Sequence, residues 1–177
     1  MTTDELSLRQ LWREDYNEHG RDATLPGFRA LAIYRFGVWR LKVRPRIVRA
    51  PLTLLYRRMY RRARNRYGIE IPHSAVLGRR VRIEHQGGIV VHGNAQIGDD
   101  VIIRQGVTIG NRHLSRPEEA PIIGCRVNIG SGVAILGAVT IGDDVSIGSN
   151  TVVVDNVPAG STVVGPRAVV RERDELP

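Results

Sequence analysis

A beat of six residues constrains this chain more than anything else in it. Ile123, Ile129, Ile135, Ile141, Ile147 and Val153 stand six apart. Val127, Val133, Val139, Val145, Thr151 and Val157 follow them at the fourth place, and Gly124, Gly130, Gly142 and Gly148 follow directly. An amphipathic helix needs an apolar residue every three to four positions, and a half-buried strand every two. Six fits neither. Two inward side chains per six residues, with Gly, Asn or Asp turning the chain between them, describe a short strand and a corner, repeated. The pattern predicts a parallel β-solenoid in which three sixes close one triangular coil.

The beat starts well before Ile123 and fails twice. Ile71, Leu77, Ile83 and Ile89 keep it, with Ala75, Val81, Gly87 and Gly93 at the fourth places. Val91, Ile97, Ile103 and Ile109 continue it two residues out of step. This slip predicts an insertion or a distorted corner between His85 and Gly93. The second failure, Asn111 to Ala120, is polar, contains Pro117 and is expected to leave the solenoid as a loop. Among near-identical coils, function is expected where the repetition breaks.

The first part of the chain reads as helical. Thr2 and Glu5 suit a capping box, and Leu8, Leu11 and Trp12 form a short apolar stripe. Gly20 to Pro26 is a break. Pro26-Gly27 opens a second helix with Phe28, Leu31, Ala32, Arg35 and Trp39 at helical spacing, apolar on several sides and so expected to touch several neighbours. Arg44-Pro45 and Ala50-Pro51 interrupt. A third helix is expected from about Pro51, with Leu52, Leu55, Tyr56, Met59 and Ala63 on one face. The expected organisation is a helical domain over 1–69, a solenoid over 70–165 with a loop at 111–120, and a tail over 166–177 ending in the charged run Arg171 to Glu175.

The net charge of +8 belongs to one segment. Arg40–Arg66 holds eleven Lys or Arg and no acid, leaving fifteen basic against eighteen acidic residues elsewhere. Such a segment is read as a solvated face or one opposite acidic groups of another subunit, or as a peripheral contact with an anionic membrane surface. Nucleic acid is not expected, since no recognition motif accompanies the charge. No apolar run reaches about 18 residues. The N-terminus lacks a secretory apolar core, and Cys125 is the one cysteine. A cytoplasmic protein is expected, with the inner face of the membrane as the place of any surface contact.

Chemistry points first to His85, at the phase slip, in Ile83-Glu84-His85-Gln86-Gly87-Gly88. Two nearby glycines leave an open corner for a substrate, and imidazole is suited to taking a proton near neutral pH. His92 and His113 are the other solenoid histidines. Their intervals from His85 onward, seven and twenty-one, do not match the zinc ligands of β-helical carbonic anhydrases, so no metal is expected. His19 and His73 carry no signal, and Cys125 is read as structural.

Within 69–170 the chain resembles the serine O-acetyltransferases, members of the hexapeptide-repeat, left-handed parallel β-helix acyltransferases. The matching stretches are Ile83 to Val91, Gln96 to Val101, Arg104 to Gly110 and Ile129 to Gly137. Pro26-Gly27-Phe28-Arg29-Ala30-Leu31 with Tyr34-Arg35 resembles the segment before the solenoid in that family. The resemblance implies a mainly β fold behind an α-helical domain, and acetyl transfer from acetyl-CoA to the hydroxyl of serine or a related small metabolite. It makes His85 the general base and Glu70 the carboxylate that orients it. It places Glu84, His92, Arg112 and His113 at the acceptor and Gly110, Ser131, Ala134 and Arg167 along the CoA. It also implies a homotrimer or a dimer of trimers, with the site between subunits.

Several positions depart from that family. Glu70 and Glu84 stand where it has Asp. Its loop ends Arg-His-Pro, whereas this one ends Glu118-Glu119-Ala120-Pro121. A carboxylate there repels an acceptor carboxylate. A saccharide hydroxyl is therefore the alternative acceptor, as in related enzymes that acetylate sugars for surface polysaccharides. A zinc carbonic anhydrase-like enzyme and a non-catalytic solenoid are remoter alternatives. The ending Glu175-Leu176-Pro177 lacks the isoleucine with which the family docks on cysteine synthase, so no complex with that partner is expected.

Overall fold

The computed structural model describes residues 6–168. Short parallel strands wind into stacked coils. The first coil carries β1 (Ile69–Glu70), β2 (Val76–Leu77) and β3 (Arg82–Glu84). The second carries β4 (Ile89–Val91), β5 (Gln96–Ile97) and β6 (Ile102–Arg104), and the third β7 (Thr108–Gly110), β8 (Ile122–Ile123) and β9 (Asn128–Ile129). β10 (Ala134–Leu136), β11 (Thr140–Ile141) and β12 (Ser146–Ile147) make the fourth; β13 (Val152–Val153) and β14 (Thr162–Val163) belong to the fifth. Stacking gives three faces: β1-β4-β7-β10-β13, β2-β5-β8-β11 and β3-β6-β9-β12-β14. The parallel β-helix expected from the six-residue beat is thus the fold.

Strand register locates both failures of the beat. Ile122 pairs with Thr140 and Ala134 with Val152, a pitch of 18 residues. Ile69 pairs with Ile89 and Arg82 with Ile102, a pitch of 20, whereas Val91 pairs with Ile109 at 18. The two extra residues therefore lie between β3 and β4, in the corner of His85. Ile97 pairs with Ile123, 26 residues on, so eight extra residues lie between β7 and β8, in the expected loop.

The interior is filled by the beat. Ile69, Ile89, Ile109, Ile135 and Val153 stack beneath the first face, and Val81, Val101, Val127 and Val145 fill a corner; all are buried. β-Branched side chains suit this pleated, tightly stacked interior. Each adds about 1.5–3 kcal/mol by burial. The Ile-Gly-Asp segments tie coil to coil. A Cβ on Gly98 would sit 2.6 Å from the Gly124 carbonyl oxygen, so glycine is required. Asp99 Oδ1 accepts the Arg79 amide at 2.7 Å, and Asp143 Oδ1 accepts that of Cys125 at 2.8 Å. At the next position Arg80, Asp100, Arg126 and Asp144 all have left-handed backbones and form one column of alternating charge. Arg80 Nε donates to Asp100 at 2.6 Å and Arg126 Nε to Asp144 at 2.7 Å.

Three helices dock on the first coil. α1 (Leu8–Glu18) starts at Ser7, whose Oγ accepts the Gln10 amide at 3.3 Å while Gln10 Oε1 accepts the Ser7 amide at 2.9 Å. The box expected at Thr2 and Glu5 lies outside the described residues, as does the run Arg171 to Glu175. α2 (Pro26–Trp39) packs against α1, against α3 (Arg46–Arg62) and against β3, the several neighbours its apolar sides call for. Arg35 is the bolt. Fully buried with Asp15, it donates to Asp15 Oδ2 at 3.0 Å, to the Leu77 carbonyl at 3.1 Å and to the Gly78 carbonyl at 2.6 Å. Burial pushes the Asp15 carboxyl upward, against the pull of Arg35.

α3 starts five residues earlier than the sequence suggests. Pro45 is its N-cap and Pro51 lies inside it. Proline in the second turn removes a single donor, and the carbonyl it leaves without that donor belongs to Ile47, an exposed residue. Tyr56 and Ala63 are buried as expected, but Leu55 and Leu54 face solvent. Among the described residues no helix is long and apolar enough to cross a membrane.

Candidate active site

His85 directly follows β3 with φ at 67°, in the left-handed region, and its side chain is exposed. The two-residue insertion produces this kink. Gly87 and Gly88 follow, also at positive φ, and stack against Gly68 above and Gly106 below: the Ile89 amide donates to Gly68 at 2.9 Å and the Gly106 amide to Gly87 at 2.8 Å. These glycines put no side chain on the corner, and the imidazole stands at an open edge. Among the described residues it has no hydrogen-bond partner.

In front of it lies a groove of about 660 Å³ lined by Glu18, His19, Pro26, Gly27, Arg82 and Glu84, with Leu25, Ile83, His85 and Gln86. The helical domain builds one wall. Gly27 touches β3 so closely that an added Cβ would be 2.9 Å from Ile83 Cβ and closer still to the Ile83 carbonyl oxygen. His19 completes the contact. Its Nδ1 is 2.7 Å from the Asp15 carbonyl oxygen, which fixes the proton there, and its Nε2 accepts the Ile83 amide at 3.2 Å. Pattern reading missed His19, because nothing local to residue 19 announces a partner at residue 83.

Glu84 is on the outward face of β3 beside His85. Its carboxylate lies 2.8 Å from Arg82 Nη2 and 2.9 Å from Arg104 Nε. Two guanidiniums thus share it. Glu70, on β1, accepts the Tyr60 hydroxyl at 3.3 Å, and burial together with that carboxylate pushes the Tyr60 phenol well above its ordinary range. Among the hydrogen bonds of the described residues, none joins Glu70 to His85.

The remaining candidates lie on or beyond the first face. His92 directly follows β4, at the opposite edge of that face from His85, and its Nδ1 accepts the Asn94 amide at 3.2 Å. The loop is tied to this second edge: Asn94 donates to Glu118 Oε2 at 2.6 Å. Glu119 is 3.1 Å from Arg116, so both loop carboxylates are partnered. Arg112 packs beside Gly137, and the His113 carbonyl accepts from Asn111 at 3.0 Å. Gly110 and Ala134 sit on β7 and β10, in adjacent registered strands of the first face. Ser131 stands on the His85 edge two coils further along, its Oγ 3.1 Å from that of Ser149. Arg167 is exposed beyond β14. One chain therefore gathers His85, Glu84 and Arg82 on one edge and His92 with the loop on the other. Among the described residues no three His, Cys, Asp or Glu form a metal-holding group.

The β-helix of six-residue repeats is the fold of a hexapeptide-repeat protein, and residues 120–155 match the family described as "Bacterial transferase hexapeptide (six repeats)". The chain is 37% identical to a serine acetyltransferase of Helicobacter pylori over 95% of its own length and 96% of that protein's. It belongs to the serine acetyltransferase family. A Mycobacterium tuberculosis serine acetyltransferase is 42% identical over 62% of this chain, but over only 48% of its own length. Among solved structures, the soybean serine acetyltransferase apoenzyme superposes with a TM-score of 0.76 at 29% identity, covering 90% of this chain and 67% of that one. The Brucella abortus serine acetyltransferase in complex with coenzyme A gives 0.75 at 28%, covering 91% and 66%. Other solved serine acetyltransferases are spanned to 62% of their length.

Proposed function

We propose that this chain transfers an acetyl group from acetyl-CoA to the hydroxyl of L-serine or a similar small metabolite, with His85 as general base. The observation that carries this is the exposed imidazole of His85 at the groove, without a hydrogen-bond partner among the described residues, on a chain of this family. The imidazole removes the acceptor's hydroxyl proton as its oxygen forms a bond to the thioester carbonyl carbon. Collapse of the tetrahedral intermediate breaks the C–S bond, and the proton passes from the imidazolium to the CoA sulfur. Glu70 orients the base once the Tyr60 contact gives way, and Glu84 sets the charge beside it. CoA lies along Gly110, Ser131 and Ala134, with Arg167 at its far end; His92, Arg112 and His113 face the acceptor from the second edge.

Two half-sites on opposite edges of one face support a homotrimer, alone or as a dimer of trimers, in which the His85 edge of one subunit meets the His92 edge and loop of the next. The second reading, a saccharide acceptor, is favoured by Glu118 and Glu119 in that loop. The basic segment would then hold the enzyme at an anionic, membrane-bound substrate, a role suited to α3, where Ile47 is 85% and Leu54 68% exposed among arginines. Thiol release from acetyl-CoA in the presence of serine, homoserine or a panel of sugars separates the readings. Turnover with serine is expected; turnover with a neutral sugar alone would overturn it in favour of the second.

A further inference from the structure

Arg82 lies two residues before Glu84 on the same outward face of β3, because strand side chains alternate and Ile83 between them is buried. Arg82 is among the residues lining the groove in front of His85. Nη2 meets Glu84 at 2.8 Å, but among the described residues the buried Nε–H has no partner, and an unmet buried donor is costly. Arg104 holds the other oxygen of Glu84 at 2.9 Å, so two guanidiniums face one carboxylate and the cluster keeps a net positive charge. α2 points its N-terminus at the same groove through Leu25, Pro26 and Gly27, with no side-chain cap, and adds the positive end of its dipole. Within one chain the acids of the loop lie on the other edge of the first face, where Glu118 accepts from Asn94 and Glu119 pairs with Arg116. Glu18 is the other acid lining the groove, which leaves room for a zwitterion rather than a bare anion.

We propose that Arg82 is the anion anchor of the acceptor subsite, taking the carboxylate of a small hydroxy amino acid whose hydroxyl is presented to His85. A carboxylate is the planar, two-oxygen partner that a guanidinium edge fits, whereas a neutral sugar leaves that edge unmet. The inference rests on the reading of His85 as base and sharpens it, since it selects acceptors that bring their own negative charge.

The test is steady-state kinetics of the full-length enzyme, Arg82→Gln and Arg82→Lys with L-serine and with L-serinamide, which keeps the hydroxyl and ammonium but loses the carboxylate. The wild type is expected to favour serine over serinamide. Arg82→Gln is expected to raise KM for serine about 10- to 100-fold, to lower kcat/KM for serinamide far less than that for serine, and to change KM for acetyl-CoA little, with Arg82→Lys in between. A folded Arg82→Gln with unaltered KM for serine would overturn the proposal, as would a wild type indifferent to the carboxylate. Should Arg82→Gln fail to fold, the serine-to-serinamide ratio of Arg82→Lys decides in the same way. None of these outcomes depends on whether His85→Ala is inactive, so the anchor and the base fail separately.

Discussion

Gly27 shows how much of the candidate site depends on single residues. A methyl group there has no space against Ile83, because the obstacle includes backbone that the β-helix holds in register. Gly27→Ala is expected to cost about 1–3 kcal/mol by overpacking and to push α2 away from the groove. Thermal unfolding and kcat/KM should fall together; a variant with wild-type values of both would show that this contact shapes nothing. Asp15 is a second such residue. Asp15→Ala strands Arg35 as a buried charge and is expected to cost about 3–5 kcal/mol, read as a lowered denaturant midpoint. Replacing Asp15 and Arg35 together with apolar residues should cost less than Asp15→Ala alone, because no buried charge is then left unpaired.

At the scale of elements, the coils are held by columns as well as by the core. Arg80 holds Asp100, and Arg126 holds Asp144, below the usual carboxylate range through direct hydrogen bonds. A depressed carboxyl contributes stability that is complete above its unfolded pKa, near 4, and is lost as pH falls through its lower folded value. Denaturant midpoints should therefore be level above about pH 5 and decline below pH 4, and Asp100→Asn with Asp144→Asn should flatten that decline. The coils themselves were legible in the sequence because each repeat writes its own strand, its own inward Ile and Val, and its own glycine corner. The slip at His85 and the loop at 111–120 were legible as failures of the same beat. The groove was not: His19 and Gly27 meet Ile83 from more than fifty residues away, and no period encodes such a contact. Arg82 carried a readable signal, two residues from Glu84 on an alternating strand, that is easily passed over beside a histidine. The early start of α3 was hidden by Pro51, which breaks helices in their middle far more than in their second turn.

The whole molecule presents two incomplete edges. His85 and His92 flank the first face, and three residues of β4, roughly 10 Å of strand, separate those edges. In the proposed homotrimer or dimer of trimers, where each site takes one edge from each of two subunits, the native mass is three or six times 19.7 kDa. Subunits lacking the eight-residue excess of the 111–120 loop should then be inactive yet rescue His85→Ala subunits on mixing and reassembly, since some interfaces recover both intact halves. Absence of rescue, with both variants assembling normally, would place the site within one chain. The central claim concerns the open imidazole at the inserted corner, and it is tested most directly by the acetyl-CoA turnover of His85→Ala in the intact oligomer. The account predicts a kcat lower by about 10²- to 10⁴-fold, with the assembly and coenzyme A binding preserved; turnover within a few-fold of wild type would contradict it.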